Sequence, residues 1–332
     1  MKKARAVSAL AAMLLLAGAA MADVVIETVP VGNAGNADDT EGDGYGSVSY
    51  TYNIGKTEVS NAQYAELLNA VATVGDPHGL YNANMGSGWN DIGGISRTGS
   101  GTGGDPWLYA VRTNRGDRPV NYVSFWDACR FANWLHNGQP TGGQDLTTTE
   151  DGAYFLNGVT NPANNTITRE ADWNWAVTSE DEWYKAAYYD GAGGAYYDYP
   201  TGSNTEPTDE APPGTDMANG SANYDTVDFT YRTTVCGAYT AKPSDSPYGT
   251  YDQGGNVLEW NDAIVWTASR GARGGTFEKS HTDLRASERG IYDPTIEMYY
   301  MGFRVSKVSP IPEPAGLGLA GLALLAICRR RS

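Results

Sequence analysis

Three cysteines and three histidines carry most of the chain's capacity for metal, nucleophilic or redox chemistry. None of His78, His136 and His281 has a second histidine two to five positions away, so a histidine-based zinc or iron site has no local support. His281, beside Glu278, Lys279 and Asp283, reads as a polar surface turn. Cys328 falls in a C-terminal apolar run, which leaves Cys129 and Cys236 for the folded part. Their separation neither demands nor excludes a disulfide. Cys129 lies on the apolar side of a predicted helix and reads as a buried free thiol. The carboxylate pairs Asp181-Glu182 and Asp209-Glu210 read as helix-start and loop charges, with no apolar pocket to tune one as a general acid. No nucleophile elbow or phosphate loop is present.

Aromatic residues offer a different chemistry. Trp173-x-Trp175, Tyr188-Tyr189, Tyr196-Tyr197-x-Tyr199 and Tyr299-Tyr300 place amphipathic rings near Asp, Asn and Gly. That composition suits stacking on sugars or gripping an extended peptide, although core packing and loop clamping account for many of the same rings.

Three helices must help to position these groups. Ser60 and Gln63 have capping-box spacing ahead of Tyr64, Leu67, Leu68 and Val71, which form one apolar face. Ser124 caps a second helix through Ala128, Phe131, Ala132 and Leu135, with Gly138 placed to end it. Ser179 and Glu182 open a third, which carries Trp183, Ala186 and Ala187. Between them, residues 75–116, 138–171 and 191–221 are rich in Gly, Asn, Asp, Thr and Tyr and predict turns and short strands. No repeat of 20 to 50 residues is evident, which argues against solenoids and propellers. One α+β domain with little regular secondary structure is expected between the two ends.

Residues 1–22 have a basic start at Lys2, Lys3 and Arg5, an apolar run, and the small-x-small ending Ala20-Met21-Ala22. This is the layout of a secretory signal peptide, with Asp23 as the first mature residue. At the far end, Pro312-Glu313-Pro314 precedes fourteen apolar residues, 315–328, and three arginines. The run is short against the roughly 20 residues needed to span a bilayer, and its basic flank would stay cytoplasmic. Formal net charge is −16, and losing the basic ends makes the chain more acidic still. Such a surface repels phosphate backbones, so nucleic acid is not an expected partner; it suits divalent cations and solubility outside the cell.

The terminal segment 309–332 resembles the PEP-CTERM sorting signal, which implies transient membrane retention, a sorting-tail protease, and release or attachment outside the cell. Residues 23–308 resemble the formylglycine-generating, or sulfatase-modifying factor, family. The segments that carry this resemblance are Lys56-Thr57-Glu58-Val59-Ser60-Asn61 with Tyr64, Pro119-Val120-Asn121-Tyr122-Val123-Ser124-Phe125-Trp126-Asp127-Ala128, and Thr178-Ser179-Glu180-Asp181-Glu182-Trp183. They continue with Gly254-Gly255-Asn256-Val257-Leu258-Glu259-Trp260, Arg273-Gly274-Gly275-Thr276-Phe277 and Gly302-Phe303-Arg304-Val305. The fold implied is the family's variant of the C-type lectin fold.

The resemblance also implies calcium. One site maps onto Asp252, the carbonyls of Gly255 and Val257, and Glu259; a second maps onto Asn223, the Tyr224 carbonyl and Asp228. A glycine-rich turn suits an ion that takes six to eight oxygen ligands. The bland alternatives are a tight turn with Glu259 in solvent and an ordinary Asx-turn at Asn223.

For catalysis the family holds Cu(I) between two cysteines. Those positions are Lys279 and about Leu284 here, while Leu258 replaces the tryptophan beside the metal. Cu(I) selects soft sulfur ligands, which an ammonium and an isobutyl group do not supply. Copper chemistry is therefore not expected, and the chain reads as an exported binding or structural module at the cell surface or in extracellular matrix. Its expected ligand is a polysaccharide, peptide or protein. The competing reading is a formylglycine-generating oxidoreductase that acts on a cysteine of a sulfatase or another protein.

Overall fold

The computed structural model describes residues 23–40, 44–161 and 165–308; the leader and the sorting tail lie outside them. In chain order come β1 (Thr28–Val31), β2 (Tyr52–Gly55), α1 (Asn61–Val71), β3 (Ile95–Thr98), β4 (Leu108–Val111) and α2 (Phe125–His136). Next are β5 (Trp175–Val177), α3 (Glu180–Tyr188), β6 (Tyr189–Asp190), β7 (Ala195–Tyr196), β8 (Thr208–Asp209) and β9 (Ser221–Ala222). The chain finishes with β10 (Leu258–Val265), β11 (Ser269–Arg273), β12 (Gly290–Tyr292), β13 (Met301–Phe303) and β14 (Val305–Val308). This is a mixed α+β domain in which most elements are short and turns carry much of the chain.

All three helices start as their sequences predict. At α1, Gln63 N–H donates to Ser60 Oγ (3.3 Å) and Ser60 N–H to Gln63 Oε1 (2.9 Å). Ser124 with Asp127 and Ser179 with Glu182 form the same reciprocal box, which satisfies amides that have no partner inside the helix. Helix α2 ends at Gly138, whose φ is +79°. There Gln139 N–H donates to the Trp134 carbonyl and Gly138 N–H to that of Leu135, at 2.9 and 3.2 Å. This is a Schellman ending, and it favours a residue free to adopt left-handed backbone.

Two four-stranded sheets organise the domain, ordered β1-β2-β14-β5 and β12-β11-β10-β13. Strand β10 lies antiparallel to β11 and parallel to β13. Arg304 is the single residue between β13 and β14, so the chain passes from one sheet to the other at that point. The main core joins α1 and α2 to this second sheet. Phe125 packs edge-on to Trp260, and Phe131 edge-on to Phe303. Trp260 also donates its indole N–H to the Val123 carbonyl at 3.0 Å. Burying each such ring contributes on the order of 1.5–3 kcal/mol, and Cys129 lies fully buried among them as the helix pattern predicts. Among the described residues, no helix is long and apolar enough to cross a membrane.

Candidate functional site

The sheet register explains the spacing of the C-terminal sequence segments. Glu259 on β10 is aligned with Arg273 on β11 and with Gly302 on β13, so three segments far apart in sequence lie side by side. Glu259 is fully buried. Its Oε2 accepts from Arg304 Nε at 2.6 Å and from Trp183 Nε1 at 2.8 Å, and its Oε1 accepts from Arg304 Nη2 at 2.6 Å. Arg304 also donates to the carbonyls of Gly55 and Tyr251. Burial opposes the guanidinium charge, but Glu259 beside it holds the Arg304 pKa above its ordinary value. Both oxygens of Glu259 therefore accept from protein donors, and the carboxylate is the ion-pair partner of Arg304.

The rest of that turn differs. Asp252, Gly255 and Asn256 all have left-handed backbone, with φ of +62°, +87° and +56°. Only glycine fits at position 255, where a Cβ would lie 2.1 Å from the Asn223 carbonyl oxygen. Asn256 N–H donates to that same oxygen at 2.8 Å, which draws Asn223 and the turn together. The Asp252 carboxylate accepts the Gly237 N–H at 2.6 Å, and burial raises its pKa to about 6. Glu58, absent from the sequence-based site, stands beside it. Burial pushes the Glu58 pKa well up, with Asp252 and Glu259 adding to the rise. Its Oε1 accepts from Asn256 Nδ2 at 2.8 Å, whereas its buried Oε2 has no hydrogen-bond partner. The turn thus carries two carboxyls, Glu58 and Asp252, beyond the one that Arg304 pairs.

In the second predicted set, Arg232 links Asn223 and Asp228 through its backbone. Asn223 lies against the turn with its Oδ1 buried and unpartnered. Tyr224 donates its hydroxyl to the Pro207 carbonyl. Asp228 folds onto its own loop, accepting from Thr230 and Tyr231 N–H at 2.8 and 2.9 Å. Among the described residues no group of three or more His, Cys, Asp and Glu side chains is arranged to hold a metal.

At the two expected copper positions the environments diverge. Lys279 is exposed, its N–H bonded to the Thr276 carbonyl and its own carbonyl to Asp225 N–H. Leu284 is fully buried in a small apolar cluster with Tyr199, Ala222 and Tyr224. A cavity of about 110 Å³ is lined by Leu258, Arg273, Asp283, Glu288, Arg289 and Tyr292 among others, and neither Lys279 nor Leu284 lines it. Both remaining cysteines are free thiols. Burial raises the Cys129 pKa within the core. Cys236 is partly exposed beside Glu58 and Asp252, and burial followed by those carboxyls raises its pKa.

Several groups named from sequence have structural duties. Glu182 is buried and bound by Arg169 at 2.8 and 3.0 Å in addition to its capping role. Glu210 gathers Thr215, Asp216 and Ser221 around a loop. His281 lies 3.0 Å from the Tyr199 hydroxyl and 3.2 Å from Glu206. Of the aromatic runs, Tyr188, Tyr189 and Tyr199 are buried, Trp173 packs under Arg169, and Trp175 lies beneath Lys307. Tyr299 and Tyr300 stay partly exposed.

Sequence reading missed the ring against which Tyr299 stacks, Trp89, at 4.5 Å between centroids and 28° between planes. It also missed exposed Phe229 and the guanidinium of Arg232, which lies 5.4 Å from each of the Trp89 and Phe229 rings. These residues occupy irregular loops without periodicity, and only the Gly86-Ser87-Gly88 run before Trp89 hinted at a special turn.

The fold defines a sulfatase-modifying type of scaffold. The chain belongs to the sulfatase-modifying factor enzyme 1-like domain family, whose model matches residues 23–308. Residues 310–332 match the PEP-CTERM protein-sorting motif, which marks the chain for export through a sorting machinery. Among solved structures, Treponema denticola variable protein 1 is similar at 18% identity and TM-score 0.52, covering 88% of this chain and 98% of that one. CarF is similar at 19% identity and TM-score 0.49, covering 86% and 99%. PvdO from Pseudomonas aeruginosa is similar at 15% identity and TM-score 0.44, covering 85% and 92%. No curated protein matches the sequence.

Proposed function

We propose that this protein is an exported, non-catalytic member of its family that works as a binding or structural module at the cell surface or in extracellular matrix. One observation carries the reading. The side chains at the two copper positions are an exposed ammonium, Lys279, and a buried isobutyl group, Leu284. Neither can ligate Cu(I) as a thiolate does. Cys129 and Cys236 do not replace them, since one is enclosed in the main core and the other lies against two carboxyls.

Calcium at the Asp252 turn belongs to the same proposal, as a structural ion. Its support is the pair of buried carboxyls, Glu58 and Asp252, whose proton affinity burial raises and whose ionised form a divalent cation would stabilise. Asp252 and the nearby unpartnered Asn223 Oδ1 are the side chains that would hold it, with backbone carbonyls completing the shell.

The test is incubation of a Cys-x-Pro-x-Arg peptide with copper-supplied protein, followed by mass spectrometry. The reading expects the cysteine to be recovered unchanged. Catalytic conversion to the aldehyde overturns it.

A further inference from the structure

Beside the Phe277–Lys279 segment, two loops bring an arginine against two aromatic rings. One loop presents Trp89 from a turn in which Asn90 and Asp91 have φ of +49° and +59°. The other presents Phe229 and Arg232 and holds left-handed backbone at Asp225, Thr226 and Arg232, with φ of +50°, +62° and +68°. Non-glycine residues rarely take this conformation and keep it only where surrounding contacts impose it. Those contacts are present. Arg115 donates to the carbonyls of Asp91 and Tyr231, both at 2.8 Å, and so stitches the loops together. Arg232 N–H donates to the Asp228 carbonyl, while Asn223 Nδ2 donates to the Arg232 carbonyl, both at 2.9 Å.

What these loops display is chemically specific. Phe229 is 75% exposed and Trp89 41% exposed. Trp89 is stiffened by its stack on Tyr299, whose hydroxyl is fixed by Glu278 at 2.7 Å. Between Trp89 and Phe229 lies the Arg232 guanidinium. Among the described residues it has no carboxylate within ion-pair distance, and its buried Nε has no hydrogen-bond acceptor. Neighbouring arginines are all committed: Arg112 to Asp91, Arg115 to carbonyls, and Arg118 to the Asn114 and Thr233 carbonyls and to Asp228 at 3.7 Å. Lys279 adds an exposed cation nearby in the chain segment that pairs with Asp225 and Thr226. In a chain of net charge −16, a guanidinium with no counter-charge between two exposed rings is complementary to an anion that carries an apolar face.

We propose that this surface binds a carboxylated polysaccharide, with the uronate carboxylate on Arg232 and the pyranose C–H face against the exposed rings of Trp89 and Phe229. A uronic acid carries its carboxylate one bond from the sugar ring, so a single residue can meet guanidinium and aromatic ring together. An acidic peptide holds its carboxylate on a flexible stem with no flat apolar face to offer. An arginine-bearing peptide meets like charge here, which disfavours the type of substrate on which sulfatase-modifying enzymes act. The inference rests on the binding-module reading and names its ligand class and its surface.

The experiment measures binding of the mature chain to polygalacturonate oligosaccharides, with dextran and poly-glutamate as comparison probes, at low and moderate salt. Dextran is expected to bind weakly or not at all, and poly-glutamate to bind at least tenfold more weakly than polygalacturonate. Trp89→Ala and Arg232→Asn should each reduce polygalacturonate affinity by about tenfold or more, as loss of an aromatic anchor or of a charge-assisted contact does. Asparagine tolerates the left-handed backbone at position 232, and unchanged circular dichroism and melting would show that the loops remain folded. Equal affinity for poly-glutamate, or variants that bind like the wild type, overturns the proposal. The copper-peptide assay is run on the same preparation. Aldehyde formation would sink the binding-module reading itself, whereas no aldehyde and no polygalacturonate binding sinks only this inference.

Discussion

Arg304 and Glu259 form a two-point ion pair, both contacts 2.6 Å long, with each side chain fully buried where β13 passes into β14. The glutamate lies on one sheet and the arginine at the joint between the two, so the pair fastens sheets that share no strand. Trp183 on α3 contributes the third donor and ties a helix to the same point.

Substituting Glu259→Gln should destabilise the domain by about 3–5 kcal/mol, because it removes the one carboxylate hydrogen-bonded to the buried Arg304 guanidinium. Trp183→Phe, which removes one donor to a carboxylate that keeps two others, should cost less, about 1–3 kcal/mol. Chemical denaturation of the two variants checks both the size and the order of these effects.

Leu284→Ala should cost about 2–5 kcal/mol by opening a cavity in the cluster with Tyr199, Ala222 and Tyr224. Lys279→Ala should leave stability within about 0.5 kcal/mol, as expected for an exposed side chain. Thermal melts distinguish them. A small effect at Leu284 would mean that this position is not the packed interior on which the non-catalytic reading depends.

The Asp252 carboxyl is raised by burial from an ordinary 3.8 to about 6, and Glu58 is raised beside it. A raised acid binds its proton more tightly in the folded state. Its contribution is therefore complete below about pH 4 and is lost as pH rises through about 6. Asp127 and Asp262, also raised to about 6 by burial, act in the same direction. The lowered Glu150 and Glu182 contribute the opposite slope, but only as pH falls through and below the ordinary 4.5. In chelator, the melting temperature should fall between pH 5 and pH 7. Asp252→Asn should flatten that decline, since its amide oxygen can still accept the Gly237 N–H.

Calcium should reverse that sign at the turn, because an ion there favours the ionised carboxylates. Millimolar calcium is expected to raise the melting temperature at pH 7 by several degrees over the chelated protein, as a site-bound ligand does. It should do so little or not at all in Asp252→Asn. Identical melts with calcium and with chelator would remove the structural ion from the account.

How much of this could be read in the sequence depends on the range of the interaction. The three helices were legible because Ser60-Gln63, Ser124 and Ser179-Glu182 are local signals, each cap lying three residues from its partner. Cys129 was placed correctly for the same reason, by the apolar face of α2. The resemblance located the Gly255 turn, but the pairing of Glu259 with Arg304 spans 45 residues and Asn256 with Glu58 spans 198, distances that no local pattern encodes. Most strands are two to five residues long, too short for alternation to be distinctive. The surface at Trp89 and Arg232 was hidden because positive φ, not composition, sets its side chains.

The central claim is that, among the described residues, no pair of cysteine thiols is available to hold Cu(I). Anaerobic titration of the mature protein with Cu(I) against a chromophoric chelator tests this most directly. The account predicts that the chelator keeps its copper and that Cys129→Ser and Cys236→Ser change nothing. One Cu(I) held per chain, and released by either substitution, would contradict it.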